Sequence, residues 1–393
     1  MTLPKPLDSS AQPDTVSDNL TQSTPLLYFT FIMVKTKSKS PMIKAPKIIK
    51  FGSDFSGMDS AVTAMSRLFP NHGKFKVRFA SDILEEAHQL AAYRPVNKPD
   101  IMYHDVLERK AEEVPYTDVY IWTPPCQAFS SAGKGAGIDD PRAKVLSAGI
   151  KYIVNHKPRV AIMENTDRLG SSKKFSKVKR GLVKTLEKNA YCVYCKILKA
   201  TDYQVPQTRK RFIMVAIRKD SYREKFVWPE KVLPEVKLSQ ILDPIKSSDT
   251  PGRLPKKTNA KQWVKNACFK AFSAGVDPRL VPVAVDIDCS EKFQTSGIDI
   301  AKTLTRTRGG QGGPWITNRG RRATVNEMLK IQGFKENEVP WKQAGLKTAQ
   351  IGKLLGNSLP VNMIGHVLSE AMYSAGVTAD KVEFPRVNFV DGI

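Results

Sequence analysis

The sequence predicts an α/β protein built on a mostly parallel, Rossmann-like sheet with helices on both faces, and a small irregular domain set into its C-terminal half. Three observations carry this. Short apolar β runs alternate with helical stretches from Lys47 to about residue 220, the pattern of parallel strands joined by crossover helices. Tight or acidic turns follow several of the β runs, and ligands in such sheets sit beyond the carboxyl ends of the strands. From about 221 to 320 Pro, Lys, Arg and Gly become frequent and the periodicity weakens.

The elements follow in order. Residues 1–46, rich in Ser, Thr, Pro and Lys, read as a disordered basic arm. Residues 47–51 form a short β run, followed by a turn and a helix over 60–68. A second strand covers 75–80 and a second helix 85–93. Residues 119–122 and 160–163 are apolar runs short enough for buried strands, with a helix over 143–155 between them. Residues 191–199 and 211–218 predict an antiparallel hairpin at the sheet edge. This gives a catalytic and cofactor-binding domain over 47–220. Residues 221–320 hold 17 Lys and Arg against 10 Asp and Glu, no more than their share of the basic excess, and read as an inserted domain. Helices over 323–331 and 361–374 return the chain to the first domain within 321–375, and 376–393 read as a tail.

The chain has 393 residues, 41% of them hydrophobic, and a formal net charge of +24. A core of useful size is possible. The charge points to a phosphate backbone as partner, because Lys and Arg displace its condensed counterions. Five irregularly spaced cysteines exclude a disulfide framework. The Cys192-x-x-Cys195 pair has no second pair at zinc spacing, so its cysteines read as small buried hydrophobes in a strand rather than metal ligands. No run reaches the ~20 apolar residues that span a bilayer. Residues 26–34 are apolar but too short, and lack the flanks of a secretory signal. A protein that is not secreted is expected, cytoplasmic in a prokaryote or nuclear in a eukaryote.

Four constellations carry chemistry. Thr123-Pro124-Pro125-Cys126-Gln127-Ala128-Phe129-Ser130 follows a strand, so Cys126 sits in a loop at the strand's carboxyl end. Two prolines fix the backbone before the thiol, and a glycine-rich stretch over 130–142 follows it. Glu164 and Asn165 end the next strand; a carboxyl there is costly to bury without a task. Arg209 and Arg211 alternate before a strand and so share a face. The turn Phe55-Ser56-Gly57-Met58 lets a ligand approach its backbone at Gly57. Asp82 (with Ile83) and Asp105 (with Val106) follow strands two and three, where carboxylates suit a ribose hydroxyl pair and an adenine amino group; helix N-capping is the plainer alternative.

The order and spacing of these elements resemble the cytosine-C5 DNA methyltransferase family over about residues 47–374. The resemblance implies a Rossmann-like class I methyltransferase sheet with a target-recognition domain over 221–320. The family's Pro-Cys-Gln element falls on Pro125, Cys126 and Gln127, making Cys126 the nucleophile. Its Glu-Asn-Val element falls on Glu164 and Asn165, with Thr166 in place of Val. Its Gln-x-Arg-x-Arg element falls on Gln207, Arg209 and Arg211. The Gly-Asn element that closes the cofactor pocket falls on Gly356 and Asn357, followed by Ser358. The Thr-Leu pair of the recognition region falls on Thr303 and Leu304, and residues 321–334 resemble its scaffolding element. The family's first element, Asp-x-Phe-x-Gly-x-Gly, keeps Phe55 and Gly57 but has Ser53 for Asp and Asp59 for the second Gly. Gln204 stands for a customary Gly.

The resemblance implies S-adenosyl-L-methionine as cofactor, duplex DNA as partner, a monomer, and neither metal nor membrane. It implies attack of Cys126 on C6 of an extruded cytosine, with Glu164 donating a proton at N3, Arg211 on the base carbonyl and Arg209 shaping the pocket. Residues 130–142 would close behind the base. Arg306 and Arg308, in a glycine-rich stretch read as flexible, would contact guanine or phosphate. A tRNA-modifying branch carries Cys-Phe-Thr where this chain has Cys268-Phe269-Lys270; that branch and a non-catalytic DNA-binding relative are the alternatives.

Overall fold

The computed structural model describes residues 44–125 and 145–386. The main sheet has seven strands: β1 (Ile49–Asp54), β2 (Phe75–Ser81), β3 (Ile101–Tyr103), β4 (Val119–Trp122), β5 (Val160–Thr166), β6 (Tyr191–Lys199) and β7 (Lys210–Arg218). Their order is β3-β2-β1-β4-β5-β7-β6. The first five are parallel, and β7 runs antiparallel to both β5 and β6. The predicted edge hairpin is therefore present, with β6 outermost.

Alternate residues of each strand feed two cores, as strands covered on both faces require. Phe51, Val77, Ile121, Ile162 and Val215 face α1 (Ser60–Leu68) and the C-terminal helices. Phe79, Tyr120, Trp122, Met163 and Met214 face the other side, which α3 (Leu146–His156), α4 (Asp167–Ser171) and α5 (Ser176–Lys188) cover. Helix α2 (Glu85–Tyr93) links β2 to β3. Helices α1 and α2 and strands β4 and β6 have the expected bounds. Strands β1 and β5 run further than predicted, so Ser53, Asp54, Glu164, Asn165 and Thr166 lie within strands rather than turns.

In the second half, α6 (Thr258–Ser273) packs on a four-stranded antiparallel sheet of β8 (Val283–Val285), β9 (Ser296–Ile298), β10 (Trp315–Ile316) and β11 (Arg321–Arg322), ordered β11-β10-β8-β9. Trp263, Val264, Ala267, Val283, Val285 and Ile287 form a hydrophobic cluster of their own there. Helices α7 (Arg306–Gly310), α8 (Val325–Ile331), α9 (Thr348–Asn357) and α10 (Val361–Ser374) follow, and α10 packs on α1. The stretch after α10, expected as a tail, is packed at least to Phe384: Val377 and Phe384 are buried, the latter against Gly365 and His366. The cysteine pair also differs from expectation. Residues three apart on a strand face opposite ways, and Cys192 is half-buried while Cys195 is exposed. Among the described residues no helix is long and apolar enough to cross a membrane.

Candidate active site

The strand order reverses between β1 and β4, and this switch point opens a crevice beyond the carboxyl ends of the parallel strands. A cavity of about 390 Å³ lies there. One wall is the turn after β1. Phe55, Gly57 and Asp59 all have φ near +50° to +60°, a left-handed alternation that folds the turn tightly along the cavity wall. The turn is pinned from below: Ser56 N donates to Ser81 O (2.9 Å) and Gly57 N to Asp82 Oδ2 (2.8 Å). Asp82 also accepts from Leu84 N (2.9 Å), ahead of α2. This is a local turn bond two residues on, not an N-cap: α2 begins after Leu84 without a side-chain cap, and Asp82 lies on the cavity wall. Asp105 likewise accepts from Leu107 N (2.8 Å) and lines the cavity.

Every residue expected to hold the cofactor lines this one cavity: Phe55, Ser56, Gly57, Met58, Asp82, Ile83, Asp105, Val106, Asn357 and Ser358. Sequence reasoning missed Leu84, His104, Thr123, Leu354 and Leu359 on the same walls. Thr123 Oγ1 donates to Phe55 O (2.9 Å), tying the segment after β4 to the first turn.

The altered first element has a structural answer. Asp59 accepts from Val62 N (3.3 Å) and so caps α1, and Ser53 Oγ donates to its other oxygen (3.0 Å). The two departures from the family pattern therefore meet. Asp54 is committed elsewhere: its buried carboxylate accepts from Ser81 Oγ (2.6 Å) and Tyr120 Oη (2.6 Å) and pairs with Arg109. Burial pushes the Asp59 and Asp82 carboxyls above the usual range, against the pull of Arg94 on Asp59 and of two backbone N–H donors on Asp82.

Opposite this turn stand Pro125, Glu164, Arg209 and Arg211. Glu164 is buried, with Oε1 2.7 Å from Arg211 Nε. Burial raises its pKa; Arg211 and Arg209 pull it back without reversing the shift. Arg209 is spent on backbone carbonyls, donating to Leu304 O (2.7 Å), Gly356 O (3.2 Å) and Ser358 O (2.9 Å). It holds the C-terminal return against the sheet, which makes it a positioning residue. Cys126, Gln127, Ser130 and the 130–142 stretch lie outside the described residues; Pro125, immediately before Cys126, shares the wall with Glu164.

Several residues expected to meet DNA are placed otherwise. Asn165 is fully buried and donates to Pro124 O (3.1 Å), fixing the segment that leads to Cys126. Thr166 is buried with its hydroxyl on Asp167 Oδ1 (3.2 Å), so the replacement of Val leaves no orphaned polar group. Thr303 Oγ1 donates to Thr208 O (3.0 Å). Arg308 is held by Asp286 (2.7 Å) and Gln311 (3.0 Å). Arg306 lines the cavity; burial raises the Asp82 carboxyl, and the Arg306 charge opposes that rise without reversing it. The glycines beside them serve close packing rather than flexibility: a Cβ on Gly309 would stand 1.9 Å from Gly352 O.

The arrangement combines a pocket with carboxylates and apolar walls, a buried carboxyl–guanidinium pair, and Pro125, the residue before Cys126 in the sequence. The model of C-5 cytosine-specific DNA methylases matches residues 49–372. The chain is 28% identical over 298 residues to the type II methyltransferase M.FnuDI of Fusobacterium nucleatum, covering 69% of this chain and 81% of that one. It is 24% identical over 316 residues to M.DsaV of Dactylococcopsis salina, covering 80% and 84%. The structure of the S. pombe Dnmt2 methyltransferase matches its fold with a TM-score of 0.59 at 16% identity, over 83% of this chain and 98% of that one. The chain belongs to the C-5 cytosine-specific DNA methylase family and is a DNA cytosine-C5 methyltransferase.

Proposed function

We propose that this chain transfers the methyl group of S-adenosyl-L-methionine to a cytosine extruded from duplex DNA, with Cys126 as nucleophile. The observation that carries the reading is the buried Glu164–Arg211 pair, which shares a cavity with Pro125, the residue before Cys126.

The cavity suits the cofactor. Asp82 and Asp105 offer acceptors for ribose hydroxyls and an adenine amino group, Phe55, Ile83, Val106 and Leu359 offer apolar walls, and the volume falls in the ~300–1,000 Å³ range of ligand sites. When bound, S-adenosyl-L-methionine supplies an electrophilic methyl group. Cytosine C5 is a weak nucleophile on its own. Attack of the Cys126 thiolate on C6 turns C5 into an enamine carbon. Glu164, whose pKa burial raises toward the protonated form, donates to N3 as that electron density develops. Arg211 is placed to hold the base carbonyl, and Asn165 and Arg209 position the walls. After methyl transfer, loss of the C5 proton expels Cys126 and restores the thiolate. Extruding the base costs a few kcal/mol, and residues 221–320 are assigned to reading the flanking sequence.

The test is a duplex carrying 5-fluorocytosine at the target. Because the C5 fluorine cannot leave as a proton, wild-type protein should accumulate a covalent adduct that resists denaturation. Cys126→Ser should bind the duplex, form no adduct and lose methyl transfer; full transfer by that variant would end the covalent scheme.

A further inference from the structure

We infer that helix α5 carries a second DNA contact, a basic stripe that grips duplex backbone beyond the target site on the β6 side. The inference rests on the DNA substrate argued above but on a surface outside the cavity. Residues 173–188 hold seven Lys and Arg and one Glu, so 16 residues carry six of the chain's 24 net positive charges. Lys177, Arg180, Lys184 and Lys188 recur at three- and four-residue steps, which puts them on one helix face. All four are exposed. The opposite face is buried: Leu186 is fully enclosed, and Val178, Leu182 and Val183 pack on the second core. Lys179, off the stripe, caps Gly170 O (2.9 Å).

The arrangement opposes helix stability. Lys177 stands in the first turn, where the helix dipole favours acids, and no acidic residue is there. Arg180, Lys184 and Lys188 form like-charge pairs at four-residue spacing, which disfavour the helix. A face serving solubility alone would alternate signs, and elsewhere this chain pairs its arginines, as Arg67 with Glu338 and Arg322 with Asp288 show. Uncompensated charge kept against local stability is what a polyanion partner requires.

Topology places the stripe. Strand β5 ends at the rim that bears Glu164, and α4 and α5 leave from there. Strand β6 is parallel to β5 and starts level with Val160, at the far end of the sheet. So α5 runs from the rim down the flank. Toward the rim, Lys173 and Lys174 precede α5, and Lys199 and Lys210 face each other in the β6–β7 register; all four are exposed. Lys177 to Lys188 spans about 17 Å at 1.5 Å per residue, roughly five base pairs of backbone.

The test compares the wild type with a variant carrying Lys177→Gln, Arg180→Gln, Lys184→Gln and Lys188→Gln. Removing like-charge neighbours favours the helix, so the variant should melt no lower than the wild type. Affinity is measured against salt for duplexes of about 12 and about 30 base pairs containing the target, and for a structured RNA. Wild-type protein should show a slope of log affinity on log salt steeper by about 3 to 4 on the long duplex, at ~0.9 per phosphate contact. Between 50 and 200 mM salt that is about a 100-fold greater loss of affinity. The variant should show one shallow slope on both duplexes while methylating the short one at the wild-type rate. An unchanged slope in the variant overturns the inference, as does a slope change seen only with RNA. Absence of methyl transfer by the wild type to either duplex would instead strike the substrate assignment, and the binding slopes would still decide the stripe.

Discussion

At the scale of single residues, the site turns on which influence governs Glu164. Its neighbour Arg211 is a cation at hydrogen-bonding distance and would ordinarily hold a carboxyl ionised. Burial outweighs it, and the pKa moves up. Burial thus favours the protonated form at this position more than at an exposed glutamate. Glu164→Gln should therefore lower turnover by ~10²- to 10⁴-fold while leaving cofactor affinity unchanged, as single-turnover methyl transfer and equilibrium binding would show; loss of affinity in step with turnover would contradict this. The same shift fixes a pH dependence. A carboxyl whose pKa is higher folded than unfolded makes the folded state bind more protons between the two values, so stability is present below the unfolded value and declines as pH rises through the folded one. Asp59, Asp82 and Glu164 all shift this way. The melting temperature should fall as pH climbs above the ordinary carboxylate range, and Glu164→Gln should flatten that fall; an identical slope in the variant would rule Glu164 out as a contributor. Two backbone positions belong at this scale too. Asp59 and Gln204, which replace family glycines, both have positive φ (51° and 56°). Glycine is the unstrained choice in that region, so the sequence departures mark where the chain keeps a left-handed turn at a steric cost.

At the scale of elements, α7 and α9 bring the C-terminal return into the cavity, and they do so by backbone contact. A Cβ on Gly352 would meet Gly309 O at 2.1 Å, and one on Gly356 would meet the Thr305 backbone at 2.2 Å. Gly352→Ala should cost about 1–3 kcal/mol through overpacking and weaken cofactor binding by displacing Asn357 and Ser358. Lys353→Ala, on the exposed side of α9, should stay within about 0.5 kcal/mol of wild type. Denaturant midpoints and cofactor titrations of both variants check this, and a neutral Gly352→Ala would mean the helices can part without harm. These contacts also explain what the sequence showed and what it concealed. Helices α1 and α2 and strands β4 and β6 were legible because their apolar residues repeat at clear periods. Helix α9 was hidden because two of its buried residues are glycines, and α6 because alanines at 260, 267 and 271 mute the contrast between its faces. Eight of the ten cofactor-wall residues were readable because they follow strand ends; Asn357 and Ser358, at the end of α9, were readable only through the Gly-Asn element. That Arg306 also lines the cavity was not legible, because its position depends on α7 packing against α9, which no local pattern announces. Asn165 was misread because β5 continues past its apolar run and takes the side chain into the interior.

At the scale of the whole molecule, the cavity is where segments far apart in sequence converge. Its walls come from residues 53–61, 82–84, 104–106, 121, 123–125, 145, 164, 209, 211, 306, 354 and 356–359. A ligand there links the β1 turn to the C-terminal return, adding to protein contacts such as the packing of α10 on α1 and the bonds of Arg67 to Glu338 and Asn362. Binding to the folded state alone stabilises it by about 2.7 kcal/mol at a ligand concentration 100 times Kd. For a chain of 393 residues, at about 2.1 cal/mol/K per residue, that is roughly 1 °C in melting temperature per kcal/mol. Saturating S-adenosyl-L-methionine should therefore raise the melting temperature by a few degrees without DNA present. Asp82 is the residue through which this coupling should be felt most, since it pins Gly57 and Leu84 while facing the cavity. Asp82→Ala frees two N–H donors at about 1–3 kcal/mol each when they stay buried. It should melt lower than wild type when unliganded and bind the cofactor ~10- to 100-fold more weakly. At a fixed cofactor concentration its melting temperature should then rise by less than that of the wild type. An equal rise in both proteins would show that the β1 turn keeps its shape without Asp82, and that the cofactor is held from the C-terminal side of the cavity.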